Sequence, residues 1–195
     1  LFRAANWSMM PTSTLYRVLV EHGITYDTSV YKGGCQGGNV CYDYRNAHDN
    51  LLSYKASSED INQYDANGLL IEMPIYTEMH PFWSFISPIR IFRMVRAKFH
   101  KHKDNNQKSS VTTNIDKNDN RKLSLRSFFV KSPLKMDFNQ VNGRGLIRMM
   151  KNIMRRAERE NLSHVDVILI GHSKTFVPYN EKTLRPFLEW VEKNL

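Results

Sequence analysis

Cysteine and long apolar runs are both scarce in this chain, and each scarcity excludes a class of protein. Only two of the 195 residues are cysteine, too few for a disulfide-built scaffold. No apolar run approaches the roughly 18 residues that a membrane-spanning helix needs. Cys35 and Cys41 lack the second pair that a four-ligand zinc site requires, so they either bridge each other or remain free thiols.

The length of the chain favours a single domain. With 195 residues it can bury its own core, yet it is shorter than the roughly 250 residues of a complete (β/α) barrel. Residue 1 is leucine, with no initiator methionine and no basic-then-apolar signal segment. We therefore expect one partial domain over residues 1–195, cut at its front.

Positive charge is concentrated in one part of the sequence. Residues 90–156 contain 18 of the 28 Lys and Arg residues but only four of the 19 Asp and Glu residues, a net charge of +14. The rest has 10 basic and 15 acidic residues, a net charge of −5, so the overall +9 comes from this block. Such a block favours either an anionic partner or a solvated insertion.

Two segments of the basic region have distinct patterns. Residues 81–99 mix apolar residues with Arg90, Arg93 and Arg96, which share one helical face. This pattern predicts a basic amphipathic helix that either lies on an anionic membrane surface or packs its apolar side on its own domain. Residues 100–122 are almost purely polar and are predicted to be a flexible insertion.

Strand-like and helix-like segments alternate along the rest of the chain. Helical spacing predicts helices from Pro11 to Gly23, over residues 141–159 and over residues 181–195. Their predicted inward residues are Leu15, Val18, Leu19, Leu146, Met149, Met150, Ile153, Leu184, Leu188 and Val191. Strands are predicted at residues 1–5, 24–30, 69–76, 134–138 and 165–170, with loops at residues 32–39 and 40–68. The alternation predicts an α/β fold with a mainly parallel sheet.

Ligands of such folds bind where the carboxyl ends of the strands meet, and three polar segments are predicted there. Arg3 and Asn6 follow the first strand, Asp137 lies in the strand at residues 134–138, and His172 follows the most apolar strand. Each has an ordinary structural explanation, since a terminal Arg is usually solvated, an Asp often caps a helix and a His often only braces a loop. Their shared location makes them one candidate site.

The order of these segments resembles the polysaccharide deacetylases, the NodB-homology family also called carbohydrate esterase family 4. Residues 2–9, FRAANWSM, look like the third motif of that family, in which an Arg follows a strand. Residues 168–172, ILIGH, look like its fifth motif, Leu-x-His. The stretches at residues 27–30, 42–45 and 70–75 suit one branch of the family in order and spacing. The resemblance spans nearly all the chain except about residues 80–130.

The resemblance implies that this chain is the C-terminal part of a distorted (β/α)7-type barrel with mainly parallel strands. The first two motifs of the family carry a catalytic Asp base and the metal ligands. Neither Thr-Phe-Asp-Asp nor His-x-x-x-His occurs in this sequence. The resemblance therefore implies a divalent metal, expected to be zinc, whose ligands lie upstream of Leu1.

The resemblance also implies roles for residues on both sides of the substrate. Arg3 would orient the missing Asp base through a charge-assisted hydrogen bond. The backbone N–H near Asn6 would help to stabilise the oxyanion, and Trp7 would contact the substrate beside it. Ile170 replaces the Leu of the fifth motif and would form an apolar wall for the acetyl methyl group.

His172 would be the general acid that protonates the departing sugar amine, and Asp137 would keep it protonated. The sequence departs from the family pattern near this Asp. Phe138 follows it where the family usually has Trp, and the helix before the fifth motif is long, which makes Asp137 the weakest match. A separate departure is Ala5, which stands where Pro is common in the turn after Arg3.

Two hypotheses from different classes follow. The first is an enzyme that hydrolyses the carbon–nitrogen bond of N-acetyl groups on a polysaccharide or glycan, inactive as this chain alone. Its partner would be the N-acetylated glycan, without nucleic acid, and residues 81–99 would make at most weak contact with a membrane surface. The second is a non-catalytic module that binds an anionic polymer, nucleic acid or membrane through residues 90–156. Metal-dependent turnover distinguishes the first, and steep salt dependence of binding the second.

Overall fold

The computed structural model of the protein describes residues 1–48, 51–81, 131–171 and 178–195. The chain divides into two compact units, one joining Leu1–Met79 to Pro133–Leu195 and the other formed by His80–Ser132. Of the second unit, the structure describes only the first two and the last two residues. The predicted flexible insertion at residues 100–122, and all but Pro81 of the predicted helix at residues 81–99, therefore lie outside the described residues.

The three predicted helices are confirmed, with boundaries that differ by up to three residues. Helix α1 is Thr12–Glu21, α2 is Gly143–Arg159 and α3 is Pro178–Asn194. Helix α1 ends because Gly23 adopts a positive φ of 70°, which lets the N–H of Ile24 reach the carbonyl of Leu19 at 2.9 Å. Helix α2 is capped by the preceding residue, Asn142, whose side chain accepts the N–H of Gly145 at 2.9 Å.

The predicted inward faces are confirmed for α2 and partly wrong for the other two helices. All four predicted residues of α2 are buried. Val18 of α1 is 40% exposed because the buried stripe of that helix passes through Tyr16 and Leu19. Leu188 of α3 is 51% exposed because the buried stripe there centres on Phe187, and Leu188 is a quarter turn away from it.

The described strands are short and form three small sheets. Strands β1, β5 and β4 form one sheet, β2 and β3 a second, and β6 and β7 a third. In the first, β5 pairs in parallel with β1 and antiparallel with β4. The strand bounds are β1 Tyr26–Asp27, β2 Cys35–Gln36, β3 Tyr42–Asp43, β4 Tyr54–Lys55, β5 Ile71–Glu72, β6 Thr77–Pro81 and β7 Lys131–Lys135.

Single parallel bridges extend this pairing. They join Phe2 to Asp27, Tyr31 to Ile75, Ile75 to Ile168, and Asp137 to Ile170. All these segments therefore run in one direction where they pair, so their carboxyl ends point the same way. Among the described residues the three sheets stay separate and do not close on themselves, and the (β/α)7-type barrel implied by the resemblance stays a prediction.

Two sequence predictions about loops and strands need correction. The glycine-rich stretch at residues 32–39 contains β2, which pairs antiparallel with β3, so it is half of a hairpin rather than only a loop. The predicted strands at residues 24–30 and 69–76 form regular ladders over only two residues each. Beyond these ladders the backbone bonds are mixed. The N–H groups of Ser29 and Val30 donate to carboxyl groups, whereas those of Met73 and Ile75 donate to backbone carbonyls. Cys35 and Cys41, at the two sides of the hairpin, are exposed free thiols.

Two clusters of buried side chains stabilise the first unit. The tyrosine core contains five tyrosines, and its buried members are Ala4, Met9, Tyr16, Leu19, Val30, Tyr31, Tyr42, Tyr44, Ala47, Tyr54, Ala56, Ile61, Leu70, Ile75 and Ile170. The helix core lies against α2 and α3, and its buried members are Leu51, Tyr76, Met136, Val141, Leu146, Met149, Met150, Ile153 and Phe187.

The apolar run at residues 165–170 belongs to both cores. Val165, Val167 and Leu169 pack against the helix core, while Ile168 and Ile170 pack against the tyrosine core. Alternate side chains of an extended segment point to opposite faces, which explains why the run is apolar throughout. Of this run only Ile170 is buried, and residues 165–169 are half-buried.

Candidate functional site

Arg3 directly follows Phe2, which is bridged to Asp27 of β1. Its side chain is held by Thr28, the residue after β1. Its Nε donates to the Oγ1 of Thr28 at 2.7 Å and to the Thr28 carbonyl at 3.3 Å. Partial burial lowers the pKa of the Arg3 guanidinium, and the neighbouring carboxyls of Asp27 and Glu72 oppose that shift. Among the described residues only the Nε edge of this guanidinium is hydrogen-bonded, and its terminal nitrogens can bind a further carboxylate.

Asp27 and Glu72 form a buried acidic pair beneath Arg3. They are register partners on the parallel strands β1 and β5, and both are fully buried. Asp27 accepts the hydroxyl of Ser29 at 2.7 Å, and Glu72 Oε1 accepts the N–H of Val30 at 3.0 Å. Burial, and then the adjacent Asp27 carboxyl, raise the pKa of Glu72 well above its usual range. Glu72 therefore keeps its proton to a higher pH than an ordinary glutamate.

The loop after Arg3 has an unusual backbone. Asn6 and Trp7 both have positive φ, 54° and 66°, a region that asparagine tolerates and that is strained for a residue as bulky as tryptophan. The hydroxyl of Tyr44 holds this loop, because it donates to the carbonyl of Trp7 and accepts the N–H of Met9 at 3.1 Å. Asn6 is exposed and Trp7 half-buried, so both can meet a ligand.

Lys135 approaches Trp7 from the end of β7. Its Nζ is 4.5 Å from the ring centroid of Trp7 and 4.5 Å from that of Tyr31, within the range of cation–π attraction. The guanidinium carbon of Arg3 is 5.8 Å from the same Trp7 ring. Two cations from distant parts of the sequence therefore flank one indole.

Asp137 follows Lys135 and is 1% exposed. Its Oδ1 accepts the N–H of Asn139 at 2.8 Å, and its carbonyl accepts the N–H of Val141 at 2.8 Å, so it organises the turn before α2. Partial burial lowers the pKa of Lys135, and the charge of Asp137 opposes that shift. Asp137 thus lies within electrostatic reach of Lys135.

The structure describes five of the six predicted site residues, and all five lie in the bridged segments or the loop that follows Arg3. Arg3 and Trp7 lie together, and Asp137 is joined to Ile170 by a parallel bridge. Ile170 is only 3% exposed and belongs to the tyrosine core, so its side chain offers little surface to an acetyl group. Asn6 precedes Trp7 in the strained loop. His172 lies outside the described residues, directly after Gly171.

Gly171 has a packing reason to be glycine. A Cβ at this position would lie 2.0 Å from the ring of Phe138, so no side chain fits there. Phe138 occupies this space beside the bridge between Asp137 and Ile170. Phe138, which stands where the family usually has tryptophan, therefore makes the contact that holds Gly171 close to the Asp137 turn.

Sequence reasoning missed Lys135, Tyr31 and the acidic pair. A signal for Lys135 was present, because the alternation at residues 134–138 places it on the same strand face as Asp137. For Tyr31 and Glu72 the sequence held no comparable signal, since their roles depend on which strands become neighbours.

The described residues do not supply a metal site. Within residues 1–48, 51–81, 131–171 and 178–195, no three His, Cys, Asp or Glu side chains converge as metal ligands would. None of the helices that the structure describes is long and apolar enough to cross a membrane. Compared with known protein families, curated proteins and solved structures, the chain matches none of them.

Proposed function

We propose that this chain is the C-terminal part of a metal-dependent deacetylase that removes N-acetyl groups from a polysaccharide or glycan. The observation that carries the proposal is the convergence of Arg3 and Lys135 on the ring of Trp7, with Asp137 within electrostatic reach of Lys135. The resembling motifs at residues 2–9 and 168–172 are 159 residues apart, counted from Met9 to Ile168. A series of parallel bridges connects the segments that contain them.

In this proposal Arg3 binds and orients a carboxylate through its terminal nitrogens. A guanidinium fixed at one edge presents its remaining donors in a rigid plane, which suits a carboxylate that must keep one orientation. The bond to Thr28 supplies that fixed edge. The exposed loop at Asn6 and Trp7 would contact the sugar, because binding sites for small organic ligands combine aromatic faces with a few polar groups.

His172 is proposed as the general acid that donates its proton to the departing amine, with Asp137 as the carboxylate that keeps the imidazole protonated. The support is positional, since Gly171 packs on Phe138, the residue next to Asp137.

A zinc ion bound by ligands upstream of Leu1 is part of the proposal. When bound, such an ion activates water and polarises the acetyl carbonyl. The described residues alone do not fit a zinc site, so they are assigned only binding, orientation and proton transfer.

The test is acetate release from chitin oligosaccharides by the complete protein that contains this chain, with zinc and with a chelator. His172→Ala should lower the rate about 10²–10⁴-fold, the usual contribution of a general acid, and remove the high-pH limb of the rate profile. His164→Ala, at an exposed position, is the matched control and should retain full activity. Acetate release that is unaffected by the chelator would contradict the proposal.

The rival is a binding module for an anionic polymer, favoured by one feature of α2. Its exposed face carries a continuous basic stripe made of Arg144, Arg148, Lys151, Arg155 and Arg159. Binding by this stripe alone would weaken steeply with added salt and would not depend on zinc. A protein that binds polyanions in this way and releases no acetate would support the rival.

A further inference from the structure

The ammonium group of Lys135 is half-buried and has no acceptor among the described residues. No carboxylate, carbonyl or hydroxyl that the structure describes lies within hydrogen-bond distance of its Nζ, and its contacts there are the faces of Trp7 and Tyr31. An ammonium has three N–H donors, and polar groups removed from water normally find partners. The two rings stabilise the charge without using those donors.

The surrounding residues hold Lys135 in place for a ligand. The Tyr31 hydroxyl bonds that of Tyr42 at 2.6 Å, which fixes the ring. Trp7 is held in its strained conformation by Tyr44. Strained, over-determined residues concentrate where ligands are gripped. Asp137, the acid whose charge acts on Lys135, is buried and hydrogen-bonded to its own turn.

We propose that Lys135 binds a carboxylate of the substrate, so that the glycan taken by this site is an N-acetylated polymer that also carries carboxylate sugars. This inference rests on the proposed function for the glycan. A monoanionic carboxylate matches the single charge of one ammonium, whereas a phosphate monoester carries nearly two negative charges and would keep one of them uncompensated beside Asp137. The face of Trp7 beside the ammonium suits the sugar ring that bears the carboxylate.

The experiment measures binding rather than turnover. Calorimetry on the complete protein would compare an oligosaccharide of alternating N-acetylglucosamine and glucuronate with the same oligosaccharide after conversion of its carboxylates to methyl esters. The acid form should bind about tenfold or more tightly, as expected for a hydrogen bond to a charged group. Lys135→Met keeps most of the apolar stem and should abolish the preference without weakening binding of the ester.

Lys131→Met is the matched control, because Lys131 lies on the same strand and is exposed. It should keep the full preference. Lys135→Gln provides a second variant if the Met substitution prevents folding. No preference in the unmodified protein, a preference retained by both Lys135 variants, or tighter binding of a phosphorylated oligosaccharide would each overturn the inference. A preference lost only in the Lys135 variants supports it even if no acetate is released, an outcome that would contradict only the proposed activity.

Discussion

The tyrosine core and the helix core differ in how they satisfy polar groups. In the helix core, α2 and α3 bond their own backbone, and the cluster between them consists almost entirely of aliphatic, Met and Phe side chains. In the tyrosine core the strands are two residues long, so much of the backbone has no ladder partner. Tyrosine hydroxyls bond some of these backbone groups instead. Tyr16 accepts the N–H of Leu69 at 2.6 Å, and Tyr54 donates to the carbonyl of Ile61 at 2.7 Å.

The two cores therefore contribute differently to the protein. The helix core gains stability from the burial of apolar side chains, which is non-directional and does not select individual backbone atoms. The tyrosine core fixes individual loop positions, because each hydroxyl bond specifies one backbone atom. The candidate site, with Arg3, Trp7 and Lys135, lies against the tyrosine core. Precise loops are what a site needs.

The largest effect is expected from a cavity in the helix core. Ile153→Ala removes a fully buried side chain and should lower the free energy of unfolding by about 2–5 kcal/mol, measured by urea denaturation. Met154→Ala, at the next and 37% exposed position, should cost about 1 kcal/mol. Equal losses at the two positions would show that α2 does not pack as described.

Removing one hydroxyl tests the tyrosine core. Tyr44→Phe leaves the carbonyl of Trp7 and the N–H of Met9 without their partner, and should cost about 1–3 kcal/mol of unfolding free energy. The control is Tyr26→Phe, because Tyr26 is 44% exposed, and it should change little. If the two variants were equally stable, the hydroxyl would not be holding the loop.

The helix core was the more predictable of the two. The apolar spacing at residues 141–159 identified the four large apolar side chains that α2 buries, because helical periodicity is local and repeats over several turns. The errors at Val18 and Leu188 arose where a tyrosine or phenylalanine, rather than an aliphatic residue, centred the buried stripe.

The tyrosine core and most of the site could not be predicted in the same way. Arg3, Trp7 and Asp137 were identified through their motif or strand position, but not the contacts among them. The positive φ of Trp7 depends on a bond from Tyr44, 37 residues away. The pairing of Asp27 with Glu72 depends on β1 and β5 becoming neighbours in one register. Neither relation has a local pattern.

The acidic pair makes the stability of the tyrosine core depend on pH. Because the pKa of Glu72 is raised in the folded protein, that protein holds a proton which the unfolded chain has already released. The stability from this group is therefore complete below the ordinary pKa of glutamate and is lost as pH rises through the raised value. Asp27 and Arg3 are the charged groups that face it.

Glu72→Gln should remove this pH dependence. Glutamine cannot ionise, and it can still accept the N–H of Val30 as Glu72 does. The free energy of unfolding of Glu72→Gln, measured in urea between about pH 5 and pH 8, should therefore increase relative to that of the unmodified protein as pH rises. Glu59→Gln, at an exposed position, should run parallel to the unmodified protein. A Glu72→Gln curve that also runs parallel would show that this carboxyl is not buried in its protonated form.

The smallest effect is expected where the same kind of side-chain-to-backbone bond is exposed. Asn142 accepts the N–H of Gly145 at the start of α2, and this bond lies at the surface. Asn142→Ala should cost about 1 kcal/mol, the usual contribution of an N-cap, and Asn142→Ser should restore most of it. Water can replace the exposed partner here, whereas it cannot easily reach Met9 beneath Tyr44. A loss at Asn142 as large as that at Tyr44 would show that burial does not strengthen the hydroxyl bonds of the tyrosine core.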